Sequence, residues 1–195
     1  MLTIVSLCML GYLLGSLSTA IIVSKVAGLS DPRSVGSGNP GATNILRYAG
    51  KKVAAITLLG DLFKGVIAVK LALLVGLTAE KSSLVALTAF LGHLYPVFHD
   101  FKGGKGVATL IGVTSALYWQ IGLCFIVNWL LLAKLSKYSS LSALLSSLPL
   151  LILIGNTSQS YLSTACFSVM VGFLYLKHVE NIKRLLTGKE KKIGA

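Results

Sequence analysis

The chain consists of long apolar runs separated by short polar segments. A helix that crosses about 30 Å of hydrocarbon needs about 20 predominantly apolar residues, and shorter runs can serve beside broken elements. The pattern therefore predicts an all-α integral membrane protein, a single polytopic domain over residues 1–195 with about seven transmembrane helices. The candidate spans are 2–24, 53–77, 83–98, 106–119, 121–133, 141–157 and 160–176.

Two short runs, 106–119 and 121–133, leave the helix count open. Each is shorter than an ordinary membrane span, so the pair could form two helices or one bent helix. A single bent helix would change both the number of crossings and the side of the membrane on which the chain ends.

Basic residues outnumber acidic ones by 18 to 6, although charged residues make up only 12% of the chain. With seven crossings, one face of the membrane receives fifteen of these 18 Lys and Arg residues, whereas Lys81 lies on the other face and Lys64 and Lys70 fall within a span. The positive-inside rule makes the rich face cytoplasmic, which predicts an external amino terminus and a cytoplasmic carboxy terminus. The same distribution argues against nucleic acid as a partner, because the basic residues follow the gaps between apolar runs. The fifteen are Lys25, Arg33, Arg47, Lys51, Lys52, Lys102, Lys105, Lys134, Lys137, Lys177, Lys183, Arg184, Lys189, Lys191 and Lys192.

The segment 35–44, Val-Gly-Ser-Gly-Asn-Pro-Gly-Ala-Thr-Asn, has the composition of an anion-binding loop. Its glycines can leave backbone N–H groups uncovered, and its short polar side chains add further hydrogen-bonding groups. Because the segment lies between two apolar runs, the phosphate that it suits would lie at a membrane surface. The predicted phosphate-binding residues are Gly36, Ser37, Gly38, Asn39, Gly41, Thr43, Asn44 and the nearby Arg47.

A second polar segment, His-Asp-Phe-Lys-Gly-Gly-Lys-Gly at 99–106, precedes a predicted helix that starts near Val107. Free N–H groups and the helix dipole attract an anion at such a position. Lys105 adds a positive charge that is unfavourable for the helix but useful for binding a dianion. We therefore predict that Lys105 is catalytic and that Gly103, Gly104 and Gly106 bind phosphate, the alternative being a purely structural turn. The spacing G-x-x-x-x-G-K-[ST] is absent, so nucleotide hydrolysis has no support.

The third polar segment contains His178 and Asn181, three residues apart on a predicted helix that leaves the membrane. This spacing places both side chains on one helix face, where His178 could act as a hydrogen-bond partner or weak base for an attacking hydroxyl and Asn181 could orient the same ligand. We predict both as catalytic and Arg184 as a possible further ligand. The alternative is a juxtamembrane helix whose basic residues contact anionic lipid.

Two ionisable groups, Asp61 and Lys64, lie three residues apart inside a predicted span, where a charge is costly unless it is paired or marks a polar site. A structural pair is the favoured interpretation, and Lys64 remains a possible member of the site. For His93 we favour a hydrogen bond between packed helices over catalysis.

Several familiar catalytic patterns are absent from the sequence, among them G-x-S-x-G and H-E-x-x-H. The His-x-x-x-x-Asp dyad of coenzyme A-linked glycerolipid acyltransferases is absent too, because Phe98 follows His93 by five residues and Lys183 follows His178. Any acyl transfer here must work without that dyad. The three cysteines lie in apolar runs without C-x-x-C spacing, and no pattern indicates a metal or another cofactor.

Taken together, the motifs resemble those of the bacterial acyl-phosphate-dependent glycerol-3-phosphate acyltransferase family. The likeness covers nearly the whole chain, although Lys177 stands where the family pattern leads us to expect arginine, which keeps the charge but not a bidentate geometry. The matching segments are Gly15-Ser16, 36–44, Asp61 with 63–65, Gly92-His93 with Pro96, 102–109, His178, and 181–182 with 184–186.

The resemblance implies that a fatty acyl group moves from acyl phosphate to the 1-hydroxyl of glycerol 3-phosphate, giving lysophosphatidic acid and phosphate. Because that family is bacterial, we expect an inner-membrane protein, and the positive-inside rule places its predicted active site on the cytoplasmic face. No pattern in the sequence indicates a cofactor or an obligate protein partner. Acyl phosphate is a mixed anhydride with a good leaving group, so direct transfer without an acyl-enzyme is expected. The alternatives are a small membrane carrier of an organic phosphate, for which no convincing internal repeat is visible, and a scaffold that binds anionic lipid.

Overall fold

The computed structural model describes residues 1–194, and within this range the chain forms helices and connecting segments without strands. The predicted all-α class is therefore confirmed. The helices are α1 (Leu2–Ser16), α2 (Thr19–Val26), α3 (Ala42–Leu74), α4 (Ala79–Leu94), a 3₁₀ turn (Val97–His99), α5 (Val107–Leu117), α6 (Trp119–Ser136), α7 (Ser139–Ser158), α8 (Tyr161–Lys177) and α9 (Val179–Leu186).

Large apolar side chains cover the outside of the helix bundle, as on α3, where Leu59, Phe63 and Ile67 are about half exposed. The interior in turn contains hydroxyl groups, and Ser83 Oγ donates to Ser163 Oγ (3.0 Å) between α4 and α8. Small polar residues at helix contacts under an apolar exterior are typical of proteins whose solvent is lipid.

Not every predicted span has the length of a membrane helix. By length and composition α6 and α7 can each cross a membrane, and the count rises to four if α1 with α2 (bent by 43°) and α8 with α9 (bent by 55°) each form one span. The seven crossings and the sidedness of the termini therefore stay predictions.

Residues 106–133 form two helices rather than one bent helix. The chain leaves helical geometry at Tyr118 (φ −140°, ψ 80°), between α5 and α6. The turn there is tight, because a Cβ built on Gly122 would lie 2.2 Å from Ser115 Oγ. Glycine at 122 thus allows α6 to approach α5 directly after the break.

Helix α3 begins at Ala42, inside the segment that the sequence analysis treated as a loop. Thr43, Asn44 and Arg47 therefore project from its first turns. Gly50 then interrupts the helix with φ 82° and ψ 178°, a conformation that favours glycine. The predicted span 53–77 corresponds to the part of α3 that follows this interruption.

Close backbone contacts between helices depend on glycine. A Cβ built on Gly92 of α4 would lie 2.2 Å from the Tyr12 carbonyl oxygen of α1, and one built on Gly112 of α5 would lie 2.1 Å from the Leu62 carbonyl oxygen of α3. Real Cβ atoms do not come this close to a carbonyl oxygen, so any larger residue must push the two backbones apart. These contacts hold α4 against α1 and α5 against α3.

A buried ion pair fills the break between α1 and α2. Lys64 Nζ lies 2.9 Å from Asp61 Oδ1 and donates to the Leu17 carbonyl (2.8 Å), an oxygen that the break leaves without a helical partner. His93 Nδ1 lies 3.7 Å from the same Asp61 oxygen. The favoured structural pair therefore forms.

We expect Gly92→Ala to destabilise the protein, because the new methyl group meets the Tyr12 carbonyl and overpacking of this kind costs about 1–3 kcal/mol. The matched control is Gly172→Ala on α8, where a Cβ meets nothing within 4 Å and alanine favours the helix by about 1 kcal/mol. Thermal unfolding in detergent measures both effects. Equal melting temperatures for the two variants would contradict close packing of α1 on α4.

Candidate active site

A cavity of about 720 Å³ opens where the three polar segments of the sequence meet. The segment before α3, the entrance to α5, and α9 with the residues that follow it form its polar wall. Parts of α3, α6 and α7 form the apolar wall. The predicted site residues that line it are Gly36, Ser37, Asn39, Gly41, Thr43, Asn44, Arg47, Lys105, Gly106, His178, Asn181 and Arg184.

Asn44 organises the first segment through its side chain. Its Nδ2 donates to the Pro32 and Val35 carbonyls (both 3.0 Å), and its Oδ1 accepts from the Ser37 backbone N–H (2.9 Å). The side chain is thus bonded at both ends to the loop and is buried. Asn44 thus supports the loop, and its predicted role as a phosphate ligand stays a prediction.

The backbone of the same loop has fewer free donors than its glycines suggest. The N–H groups of Ser37, Gly38 and Gly41 donate respectively to Asn44 Oδ1, the Val35 carbonyl and the Asn39 carbonyl. Gly36 (φ 62°) and Gly38 (φ 69°) are still needed for the turn. The side chain of Ser37, which is exposed at the cavity, is therefore a better candidate for an anion contact than a backbone nest.

The glycines at 103 and 104 bring the segment before α5 close to α4. The N–H of Gly104 donates to the His93 carbonyl (3.1 Å), and a Cβ on Gly103 or Gly104 would lie 2.1 Å or 2.3 Å from atoms of His93. Neither glycine lines the cavity, and neither do Gly38 and Lys64. Their packing on His93 fixes the backbone next to Lys105, and their predicted role as phosphate ligands stays a prediction.

Lys105 projects from this turn into the cavity, where its Nζ donates to Asn181 Oδ1. Burial lowers the pKa of the Lys105 ammonium to about 8, and the nearby Arg184 and Arg47 add to this effect while Glu190 opposes it. The ammonium is thus still mainly protonated at pH 7. Its protonated form would be stabilised by an additional anion.

His178 lies in the bend between α8 and α9 and is buried. Its Nδ1 is 2.8 Å from the Leu174 carbonyl oxygen, which can only accept, so Nδ1 carries the proton and Nε2 is left as the acceptor. Burial lowers the pKa of His178 to about 4, and the charge of Lys105 contributes. The imidazole is therefore neutral at pH 7, with a fixed tautomer.

Sequence reasoning did not predict Glu190, Ser140, Lys189 or Lys191 as site residues, although all four line the cavity. Of these, Glu190 makes the most contacts with the predicted residues. Its Oε1 accepts from Ser140 Oγ and from Asn181 Nδ2 (both 2.6 Å), and its Oε2 accepts from Arg184 Nε (2.7 Å). The only sequence signal was a single acid among the lysines at 189, 191 and 192.

Arg47 faces the cavity from α3, and its Nη2 donates to the Lys191 carbonyl (3.3 Å). Its Nε is buried without a hydrogen-bond partner among residues 1–194. A buried guanidinium nitrogen in this state is costly unless a ligand completes its hydrogen bonding. Because that atom has almost no accessible surface, what Arg47 offers an anion in the cavity is the positive charge of its guanidinium.

The chain is similar in sequence and in fold to known glycerol-3-phosphate acyltransferases. The family model for glycerol-3-phosphate acyltransferase matches residues 5–188. A glycerol-3-phosphate acyltransferase of Thioalkalivibrio sulfidiphilus is 49% identical over 94% of this chain and 90% of the relative, and one of Nitrobacter winogradskyi is 50% identical over 95% and 93%.

Solved structures match over nearly the whole length as well. The crystal structure of PlsY (YgiH), an integral membrane glycerol 3-phosphate acyltransferase, in its glycerol 3-phosphate form superposes with a TM-score of 0.92 at 35% identity, covering 98% of this chain and 96% of that one. The lysophosphatidic acid form gives 0.90 at 33% identity, covering 97% and 95%. This chain therefore belongs to the glycerol-3-phosphate acyltransferase family of integral membrane proteins.

Proposed function

We propose that the chain transfers a fatty acyl group from acyl phosphate to the 1-hydroxyl of glycerol 3-phosphate, releasing lysophosphatidic acid and phosphate. The observation that carries this proposal is the single cavity in which Ser37, Lys105 and His178 meet, although they come from segments far apart in the sequence. The solved relatives are described in glycerol 3-phosphate and lysophosphatidic acid forms, which supports the same acceptor and product here.

The cation-rich part of the cavity suits the phosphate of glycerol 3-phosphate. Lys105 and Arg184 present charged donors, and Arg47 adds the positive charge of its guanidinium. Charge-assisted hydrogen bonds to phosphate are roughly twice as strong as neutral ones. We assign these three side chains, with Asn181 between Lys105 and Arg184, to holding this phosphate and to stabilising charge on the departing one.

The first segment suits the head group of the acyl donor. Ser37 lies at the cavity and its hydroxyl can donate to a phosphate oxygen, while Asn44 holds the loop that carries it. The opposite wall includes Leu58 of α3 and Leu130 of α6, which are also exposed on the outside of the bundle. An acyl chain can therefore extend from the polar head towards lipid along this wall.

Acyl transfer in this site needs no enzyme nucleophile. The 1-hydroxyl oxygen attacks the acyl carbonyl carbon, the bond from that carbon to the phosphate oxygen breaks, and the hydroxyl proton passes to an acceptor. Holding two reactants in the reacting geometry can contribute about 7–11 kcal/mol to lowering the barrier. His178 forms no dyad with a carboxylate, since its Nδ1 lies 2.8 Å from the Leu174 carbonyl oxygen.

The neutral His178 is suited to orienting the attacking hydroxyl. Nε2 is the acceptor of the fixed tautomer, so it can receive a hydrogen bond from the hydroxyl. With a pKa of about 4 the imidazole is a weak base at pH 7. We therefore assign the proton to the departing phosphate, which is the stronger base, and the orienting role to His178.

We also propose that the chain is a bacterial inner-membrane protein whose site faces the cytoplasm. Five basic residues line the cavity, and all five belong to the cation-rich face that the positive-inside rule assigns to the cytoplasm. They are Arg47, Lys105, Arg184, Lys189 and Lys191.

The direct test is an assay with purified protein in detergent. We expect lysophosphatidic acid and phosphate to form in equal amounts from acyl phosphate and glycerol 3-phosphate, and no product from acyl coenzyme A. Product formation from acyl coenzyme A alone would overturn the assignment of the donor, and the absence of product with either donor would overturn the proposed reaction.

We expect Lys105→Ala to reduce transfer by at least about 100-fold, because it removes a charged group that contacts the reacting phosphates. Lys102→Ala is the matched control, since Lys102 is an exposed lysine of the same segment and lies outside the cavity. Initial rates and melting temperatures measure both variants. Retention of most activity by a folded Lys105→Ala protein would exclude Lys105 from the site.

We expect Ser37→Ala to raise the KM for acyl phosphate while transfer continues, because Ser37 contributes a hydrogen bond and not a covalent bond. Ser34→Ala is the control, since the Ser34 hydroxyl donates to the Asp31 carbonyl (2.9 Å) away from the cavity. Intact mass spectrometry of the wild-type protein during turnover completes the test. One acyl group on Ser37 would contradict direct transfer.

We expect the affinity for sulfate, an unreactive dianion, to fall as the pH rises through about 8. A bound dianion favours the protonated form of Lys105, so binding is strongest below the pKa of the free ammonium and weakens by up to about tenfold per pH unit above it. Calorimetric titration between about pH 7 and about pH 9 measures this change. Lys105→Arg keeps its charge throughout and is expected to flatten the profile. An equally steep profile in that variant would show that another group is responsible.

A further inference from the structure

The segment that follows α9 lines the cavity and is hydrogen-bonded to two other parts of the chain. The Lys191 carbonyl accepts from Arg47 Nη2 (3.3 Å), and the Ile193 N–H donates to the Lys137 carbonyl between α6 and α7 (2.7 Å). Within this segment Glu190 is the only acidic residue. These two hydrogen bonds hold the Glu190 side chain against the polar wall of the cavity, where it is only 8% exposed.

The Glu190 carboxylate uses three donors of that wall. Ser140 Oγ and Asn181 Nδ2 donate to Oε1, and Arg184 Nε donates to Oε2. Asn181 in turn accepts from Lys105 through its Oδ1, so the carboxylate lies next to the cationic cluster of the cavity. Carboxylate and phosphate oxygens accept the same hydrogen bonds from hydroxyl, amide and guanidinium groups.

The surroundings of Glu190 favour the ionised form of its carboxyl group. Burial would raise the pKa of the Glu190 carboxyl, but the hydrogen bonds from Ser140, Asn181 and Arg184 outweigh it and bring the pKa below its ordinary value. Glu190 is therefore an anion at neutral pH. It stands where the proposed reaction needs to place the phosphate of glycerol 3-phosphate.

We propose that the Glu190 carboxylate occupies the phosphate subsite of the free protein and that the phosphate group of a substrate displaces it. The identity of that substrate rests on the proposed function, whereas the competition between carboxylate and phosphate does not. The internal carboxylate keeps Arg184 paired when no substrate is bound. Its cost is a lower apparent affinity, since substrate binds only the fraction of molecules in which the subsite is open.

A scaffold role for Glu190 predicts the opposite effect. If the carboxylate remained in place and only oriented Asn181 and Arg184, its removal would loosen two ligands of the phosphate and weaken binding. The sign of the change in affinity therefore separates the two roles.

The test is calorimetric titration of glycerol 3-phosphate, and separately of inorganic phosphate, into the full-length protein in detergent. If the carboxylate fills the subsite about nine-tenths of the time, Glu190→Gln lowers the apparent Kd for both probes about tenfold. Glu180→Gln is the matched control, because Glu180 is an exposed acid that pairs with Lys183 (2.8 Å) outside the cavity, and its Kd is expected to equal that of the wild type. An unchanged or higher Kd in Glu190→Gln would overturn the proposal.

Glu190→Asp separates occupancy of the subsite from simple repulsion of an anion. Aspartate keeps the charge but is one methylene shorter, so it cannot reach all three donors together. We expect its Kd also to fall below that of the wild type. A wild-type Kd in Glu190→Asp beside a lower one in Glu190→Gln would mean that the charge acts only from a distance and would overturn the proposal.

Binding is measured here without turnover, so the outcome is independent of the reaction. A protein in which Glu190→Gln binds phosphate more tightly but which forms no lysophosphatidic acid would support the carboxylate proposal and contradict the proposed function.

Discussion

A lysine ammonium held away from water at the entrance to a membrane helix is the constraint on which this site depends. The amino terminus of α5 carries a partial positive charge of its own, and Arg184 and Arg47 lie nearby, so the surroundings of Lys105 disfavour its protonated form. Two groups stabilise the protonated form: the amide oxygen of Asn181, which accepts a hydrogen bond from Lys105, and the carboxylate of Glu190 next to it. A dianionic substrate would stabilise it further, and this is the physical reason that the cavity favours phosphate.

The fold supports this arrangement by contacts that tolerate little change. Gly103 and Gly104 pack against His93 without room for a Cβ, which fixes the point from which Lys105 projects. Below them the break between α1 and α2 is closed by Lys64, whose ammonium bonds to the Leu17 carbonyl and pairs with Asp61. The two buried lysines thus differ in role. Lys64 is neutralised by Asp61 on its own helix, whereas the charge of Lys105 has no such partner and is available to a ligand.

Much of the architecture could be predicted from the sequence, because apolar runs and glycine-rich gaps are local signals. The meeting of the three polar segments in one cavity could be predicted, because the basic residues assign all three to the same face of the membrane. The supporting role of Asn44 could not be predicted, because a short amide beside glycines gives the same sequence pattern whether it binds a ligand or supports its own loop. Only the structure shows its bonds to Pro32, Val35 and Ser37. Glu190 was missed because an acid among lysines has the pattern of a solvated tail. Its partner Ser140 lies 50 residues away, a distance in sequence that no local pattern can bridge.

The central claim is that these charges form one phosphate site, and a structure of this chain with glycerol 3-phosphate bound, determined from crystals grown in a lipid mesophase, tests it most directly. The account predicts phosphate oxygens within hydrogen-bonding distance of Lys105 Nζ and Arg184 Nε, the 1-hydroxyl facing His178 Nε2, and the Glu190 carboxylate moved away from Ser140. A phosphate bound outside this cavity, or bound with Lys105 and Glu190 unchanged and out of contact, would contradict it.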